Sequence, residues 1–449
     1  MAPQIPTAGR ASFLRQPARL IANLLSPRYF LLRSFTAGAA VIAGLVQTFV
    51  FARVLAPQLF SIYILIGTLG ISLWLFDLGA AKILFVRQRE RFLAQRTDTA
   101  IATQSSAVVL LYALIVAAGA LACFAVMSLR ATMTPWQATE LALFFSFSAL
   151  NLVWFPLRNV SNAVDRFIRF ETLEALRRIG HIGMMLALLI GLPLPAFLVL
   201  ANLLWFVLIA TCIAGLIAEG ALAARLRGFT SALTSFWYDS RREILRSGNY
   251  AVGELVIYNF PYLVVPLAFG LGAPTIILDT VFKVFRGATL IYAAGLDPLV
   301  PRQTRAFAER DAGTLKRATW TAAALCAVPT FALCALLLTA GDRLFALLLG
   351  KAATVPPAAV LILVLLLIAN LAQNVASNLL LHTGFFRELA RVASLLIVGM
   401  AAMTGIALAA GTDIVGFIDG YAMVYMAGSA LYVVYVVRGP VRFAAQPKP

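Results

Sequence analysis

Twelve apolar stretches follow one another between residues 34 and 437, and the connectors that join them alternate between strongly basic and almost uncharged. The stretches run over about 34–52, 59–81, 104–127, 138–157, 179–194, 196–218, 249–270, 275–297, 318–340, 358–381, 390–410 and 415–437. A hydrocarbon core about 30 Å thick needs about 20 residues of helix, which most of these supply; the fifth is short. Backbone N–H and C=O groups inside lipid must pair within their own segment or around a closed barrel, and stretches of this length and uniformity predict helices. With 61% hydrophobic and 12% charged residues, the chain lies far from the quarter or so of charged residues usual in soluble domains.

The placement of the charges orients the helices. The N-terminal segment, the connectors near 82–103, 158–178, 219–248, 300–317 and 382–394, and the tail hold 30 of the 36 Lys and Arg residues. The opposite side holds only Arg53, Arg130, Arg343 and Lys351. Cytoplasmic connectors carry the excess of Lys and Arg, so both termini are expected in the cytoplasm of a bacterial cell, with the chain in the inner membrane and its basic face on anionic phospholipids. The net charge of +17 follows from that asymmetry and does not require nucleic acid, whose partners concentrate charge on one face of a water-soluble domain.

The longest connector divides the chain. Residues 1–33 read as a basic N-terminal segment without a cleavable signal peptide, 34–218 as a six-helix lobe, 219–248 as a cytoplasmic linker, 249–438 as a second six-helix lobe and 439–449 as a tail. Because six is even, both lobes enter the membrane from the same side, as parallel repeats. Asp77 before Lys82 and Asp297 before Arg302, each pair five residues apart, echo that repeat. The expected fold is thus all-α, with twelve transmembrane helices in two lobes.

Catalysis finds little footing. The outer connectors are short and offer only Glu140, Asp342 and Asp413, too few acids for metal ligation or general acid–base work, so no enzyme is expected. His181 and His382 have no acidic or cysteine neighbours at ligand spacing, so neither a metal nor another cofactor is expected. The four cysteines lie inside apolar stretches; Cys326 and Cys334, about 12 Å apart along one helix, cannot bridge.

The residues with unexplained chemistry are charges and amides inside the spans. Asp279, Lys283 and Arg286 fall within about 60° of one helix face in the eighth stretch. A central Lys or Arg facing lipid costs about 2.5 to 3.5 kcal/mol, so the stripe should face other helices or a watered cavity, with Asp279 balancing Lys283 one turn away. Lys283 and Arg286 are therefore candidate ligands for an anionic substrate, and Asp279 and Glu254 candidates for charge balance or for coupling to H+ or Na+. Pro261 and Pro266 predict a hinge in the seventh helix. Asn370, Gln373, Asn374 and Asn378, with Ser377, share an arc of about 140° on the tenth, which reads either as interhelical hydrogen bonding or as a hydrated wall for sugar hydroxyls.

The run Phe51-Ala52-Arg53-Val54-Leu55-Ala56-Pro57-Gln58-Leu59-Phe60-Ser61-Ile62-Tyr63, followed by Phe76-Asp77-Leu78-Gly79 and Val86-Arg87, resembles the start of Wzx-like polysaccharide transporters. These belong to the multidrug/oligosaccharidyl-lipid/polysaccharide (MOP) exporter superfamily. Leu299-Val300-Pro301 and Leu348-Leu349-Gly350 look like the matching second-half signatures, and Ala56 and Ser61 stand where the pattern has glycines. The resemblance implies a MATE-like, two-lobed flippase that moves a lipid-linked oligosaccharide to the periplasmic leaflet by alternating access, for surface or exopolysaccharide synthesis, beside polymerase and export partners. It implies diphosphate at Lys283 and Arg286 and glycan at the amides. A multidrug exporter of the same fold and a non-transporting scaffold of an envelope assembly complex are the alternatives.

Overall fold

The computed structural model describes residues 27–95, 99–129, 133–224 and 228–446. Arg10, Arg15, Arg19, Arg130 and the last three residues of the tail lie outside them, as does the side chain of Glu254. The described residues are helical almost throughout: α1 (Pro27–Val54), α2 (Pro57–Ser72), α3 (Ala80–Leu93), α4 (Thr99–Ser128), α5 (Pro135–Ala149), α6 (Asn151–Ala163), α7 (Phe167–Leu189), α8 (Leu194–Ala218), α9 (Phe229–Ala268), α10 (Ala273–Leu296), α11 (Val300–Ala308), α12 (Ala312–Leu349), α13 (Pro357–His382), α14 (Phe386–Ala409) and α15 (Ile414–Val436). With α5 and α6 forming one bent rod and α2 continued by a 3-10 turn to Asp77, twelve rods are long enough to cross a bilayer at 1.5 Å per residue. Nine of them are also apolar enough over their described residues; the described apolar part of α9 is the shorter Val256–Ala268, and α7 and α10 carry charge within their membrane-length parts.

Two boundaries differ from the sequence reading. The stretch 158–178, read as a connector, is the end of α6, a tight turn with Asp165 at φ 59°, and the first half of α7. Glu174 is one turn from Arg177 and Arg178, so the charges pair along the helix face instead of requiring water. The expected linker is likewise largely helix, since α9 begins at Phe229 and runs unbroken into the membrane-length part.

The two halves repeat one packing scheme. In the first, α1 packs on α7, α2 and α4 on α5, and α7 on α8; in the second, α9 packs on α14, α10 and α12 on α13, and α14 on α15. Across the lobe interface α1 meets α10 and α12, and α2 meets α9. The echo at Asp77 and Asp297 is part of this repeat, because each residue sits in a 3-10 turn that ends a rod and leads into a short helix, α3 or α11. At the first turn the Asp77 carboxylate accepts from the N–H groups of Gly79 and Ala81, both at 3.0 Å, and from the Tyr112 hydroxyl at 2.9 Å. Leu78 and Gly79 adopt φ of 45° and 84°, so the Asp-Leu-Gly sequence caps α3 through a left-handed step that glycine takes without strain.

The ends of the rods away from the basic connectors are tied together across the lobes. Arg53 donates to the carbonyls of Leu347 and Leu348 at 2.6 and 3.2 Å, satisfying orphan acceptors at the C-terminus of α12, and stacks on Phe49. Ser61 and Gly272 exchange hydrogen bonds of 2.8 and 3.1 Å between α2 and the start of α10.

Candidate functional site

The α10 stripe faces protein. Lys283 Nζ lies 2.6 Å from Asp279 Oδ2 and donates to Thr48 of α1 at 2.9 Å, while Tyr262 of α9 donates to Asp279 Oδ1 at 3.3 Å. Arg286 donates to the Tyr258 carbonyl and, at 2.8 Å, to Asn259 Oδ1, and its guanidinium lies 4.7 Å from the centroid of the Tyr262 ring. Each charge therefore has a partner where α1, α9 and α10 meet. The pairing lowers the cost of placing three charged groups at mid-membrane depth.

A hydrogen-bonded chain leads from there to α13. Pro261 has no N–H for the Ile257 carbonyl, which instead accepts from Tyr421 of α15 at 3.4 Å. Tyr258 and Tyr425 share a hydroxyl bond of 2.9 Å, Tyr425 donates to Asn370 Oδ1 at 3.0 Å, and Asn370 Nδ2 reaches the Phe285 carbonyl and Thr289 of α10 at 3.0 and 3.2 Å. Gln373 accepts from Ser429 at 3.1 Å. Asn370 and Gln373 are fully buried in these helix contacts, which is the interhelical alternative for that face; Asn374 and Asn378 are half-buried beside them.

A second cluster is one that sequence reasoning did not assemble. A cavity of about 170 Å³ between α1, α6, α7 and α10 is lined by Arg33, Arg158, Arg177 and Arg178, by Glu171 and Glu174, and by Trp74, Trp154 and Phe155. Glu171 accepts from Thr36 at 2.7 Å and pairs with Arg158 at 3.4 Å and Arg33 at 3.5 Å. Glu174 pairs with Arg177 and, at 2.8 Å, with Arg178, and accepts from Trp154 at 2.8 Å. Both carboxylates are thus held by two arginines each, and Arg33 also lies 4.0 Å from Asp297 in the turn after α10, so four cations face three anions and the cluster is one charge positive. The buried Nε of Arg33 has no acceptor among the described residues, so the cavity keeps an unused donor. Trp74 stacks on Phe155 at 5.2 Å and supplies a flat aromatic wall. The signal for this site was the Glu-x-x-Arg-Arg spacing from Glu174, which places one carboxylate against two guanidiniums on a single helix.

Among the described residues, no group of His, Cys, Asp and Glu is placed to hold a metal, and all four cysteines are free and buried. The chain has the fold of the MATE transporters of the MOP superfamily. An outward-facing multidrug resistance MATE transporter superposes with a TM-score of 0.63 at 11% identity, over 95% of this chain and 99% of that one. A MOP transporter from Pyrococcus furiosus, described as having a binding pocket of reverse polarity that suggests a different function, gives 0.64 at 11% identity over 94% and 96%. A eukaryotic MATE transporter gives 0.62 at 14% identity over 93% and 98%. No family model and no curated protein matches the chain.

Proposed function

We propose that the chain is an alternating-access flippase for a lipid-linked oligosaccharide bearing a diphosphate, carrying it from the cytoplasmic to the periplasmic leaflet of a bacterial inner membrane. The observation that carries this reading is the arginine cavity, where four guanidiniums outnumber the two lining carboxylates and neighbouring Asp297 beside an indole wall. Guanidinium forks match phosphate oxygens in planar, charge-assisted pairs, and aromatic faces suit the apolar faces of sugar rings. The fold serves a multidrug exporter equally well. What favours an anionic cargo is that both carboxylates lining the cavity are already engaged by arginines, which leaves neither of them bare for a cationic drug.

In this reading the diphosphate first meets Arg33 and Arg158 near the basic end. Lys283 and Arg286 form a second cationic station about 18 Å further along α1, the rise over the twelve residues from Thr36 to Thr48. Asp279 and Glu254 serve charge balance or H+ or Na+ coupling, and Asn374 and Asn378 reach the glycan once the lobes part. Both termini face the cytoplasm, where anionic phospholipids meet the basic connectors and polymerase or export partners assemble. The test is translocation of a polyprenyl-diphosphate-linked sugar by the purified chain in proteoliposomes. Arg33→Gln with Arg158→Gln should reduce the rate at least about tenfold without loss of reconstituted protein. An unchanged rate refutes the anionic site, and transport of a cationic drug abolished by Glu171→Gln would install the multidrug reading instead.

A further inference from the structure

Contact along the α1–α10 seam separates two spaces. A Cβ on Gly287 would stand 3.2 Å from Val41, so the two helices touch there, and the arginine cavity lies on one face of the pair. On the other face Val41, Leu45 and Phe49 of α1 line an apolar groove of about 390 Å³ whose further walls are α10 and α12. Its α12 wall runs from Pro329 through Leu333 to Leu347 and Leu348, and the rim residues Leu336 and Leu347 are exposed. An exposed leucine rim on a membrane-spanning rod meets lipid, so the groove opens to the bilayer.

Arg53 stands at the groove's mouth, at the end away from the basic connectors. Its Nη1 donates to the carbonyls of Phe49 and Leu348 at 2.8 and 3.2 Å, its Nη2 donates to the Leu347 carbonyl at 2.6 Å, and the Phe49 ring covers one face of the guanidinium. Phe49, Leu347 and Leu348 all line the groove, so direct contacts join the charge to it. Of a guanidinium's five N–H donors these bonds use three, which leaves one on Nε and one on Nη2. Arg53 is exposed and forms no ion pair among the described residues. Arg343 lies one turn before Leu347 on α12 and Lys351 three residues past Leu348, both exposed, with Asp342 the one acid on that helix end.

We infer that this groove holds an acyl chain of a membrane phospholipid whose phosphate is bound by Arg53. The inference goes beyond the cargo reading and asks nothing of the arginine cavity. A phospholipid of the leaflet at this end has its phosphate at the surface and its chains directed to the midplane. The groove presents a guanidinium and then Phe, Leu and Val side chains in that order. From Arg53 to Val41 is about 18 Å along α1, and from Leu348 to Pro329 about 28 Å along α12, against about 15 Å of hydrocarbon in one leaflet. At about 30 Å³ per water-sized group the groove takes roughly a dozen methylenes. The acyl chain only exchanges one apolar medium for another, so preference for this site comes from the phosphate, whose oxygens accept from the two free donors of one planar fork. Because the walls come from both lobes, a lipid held there favours the arrangement in which α1 and α12 are tied at this end.

The experiment applies two photoactivatable lipids to the purified full chain in a maltoside detergent, which carries no phosphate. One is phosphatidylglycerol with a diazirine in one acyl chain, and the other is diacylglycerol with the same chains. At equal subsaturating concentration the first should label peptides from 41–49 and 329–348 about tenfold more than the second. Arg53→Gln should bring the two yields together, whereas Leu45→Trp and Leu333→Trp, which fill the groove, should remove both. Leu338→Trp, exposed on α12 outside the groove, should leave them unchanged. Equal yields on the unmodified chain overturn the phosphate contact, and labelling confined to other helices overturns the groove. Displacement of the label by excess 55-carbon polyprenyl diphosphate but not by excess phosphatidylglycerol gives the groove to the cargo and overturns the inference. Should a variant misfold, these three measurements on the unmodified chain still decide the matter. Neither probe is a cargo, so the outcome is independent of whether the chain carries a diphosphate lipid.

Discussion

Glu174 offers the sharpest perturbation, because its two effects should carry opposite signs. Its carboxylate accepts from Arg177 twice, from Arg178 and from Trp154, while Arg177 is 2% exposed and stacked 4.2 Å from the Trp205 ring centroid. In Glu174→Gln the amide nitrogen replaces one oxygen and faces donors, and the remaining bonds lose their charge. Charge-assisted bonds contribute about 1.5 to 3 kcal/mol against about 1 for neutral ones, and breaking a buried ion pair costs about 3 to 5. Arg178 is a quarter exposed and resolvates, so a loss of about 3 kcal/mol is expected. Arg177→Gln removes the other half of the pair and should cost a similar amount.

Binding separates the two. Glu174→Gln raises the excess of cations over anions in the lining by one, and Arg177→Gln lowers it by one. A unit charge about 6 Å from a phosphate is worth about 2 to 3 kcal/mol at an effective dielectric near 20. Partial exposure and salt reduce this to about 1.4, or about tenfold in affinity. Pyrophosphate titrated into the detergent-solubilised chain should therefore bind about tenfold tighter in Glu174→Gln and about tenfold weaker in Arg177→Gln, though both unfold earlier on heating. If both variants lose affinity in step with their stability, cavity charge is not what holds the anion and the reasoning fails.

The α10 stripe gives a double-mutant cycle. Lys283→Met should destabilise by about 3 kcal/mol by stranding buried Asp279, and adding Asp279→Asn should recover most of it while transport stays lost; additive losses would show that the two do not interact. Arg286→Lys should keep only part of the activity, since a point charge cannot hold the Tyr258 carbonyl and Asn259 together as the fork does; a Lys283→Met, Arg286→Gln variant that transports at the normal rate would make the stripe structural. The four buried thiols should resist maleimide in the folded chain, and their joint replacement by Ala or Ser should leave transport intact; a loss that tracks oxidation would contradict this. In that cysteine-free background, a cysteine at exposed position 351 should be labelled from outside and one at exposed position 241 should not, and the reverse would overturn the orientation.

Most of the helical architecture is legible in the chain because a bilayer allows so few solutions. Length and apolarity mark the spans, and their even number per half makes the lobes parallel. The misreadings have one physical origin. Arg158, Arg166, Arg169, Arg177 and Arg178 look like a solvated connector when their charges are counted singly, yet Glu171 and Glu174 lie among them at helical spacing. Hydropathy sums charges, whereas a helix pairs them. The meeting of Arg33 with Arg158 and Arg178 was not readable at all, since it depends on α1 packing against α7.

Insertion cost shows that a charge must be sheltered and says nothing about what shelters it. It singles out Asp279, Lys283 and Arg286 because they stand alone in an apolar segment, and it passes over α7, whose charges lie near one end. The structure shelters the two groups differently. At α10 the partners fit closely: Asp279 lies on the same helix as Lys283, while Thr48 lies on α1 of the other lobe. When the lobes part in the proposed cycle, Lys283 loses Thr48 but keeps Asp279, so no cation is left bare at mid-membrane depth. At α7 the arginines surround more space than their glutamates fill, and an unused donor remains on Arg33. A charged group whose balancing partner travels with it suits a moving interface, and a surplus of cations around a void suits a ligand. That difference is why the cargo's phosphates are assigned first to the arginine cavity and only in passage to Lys283 and Arg286.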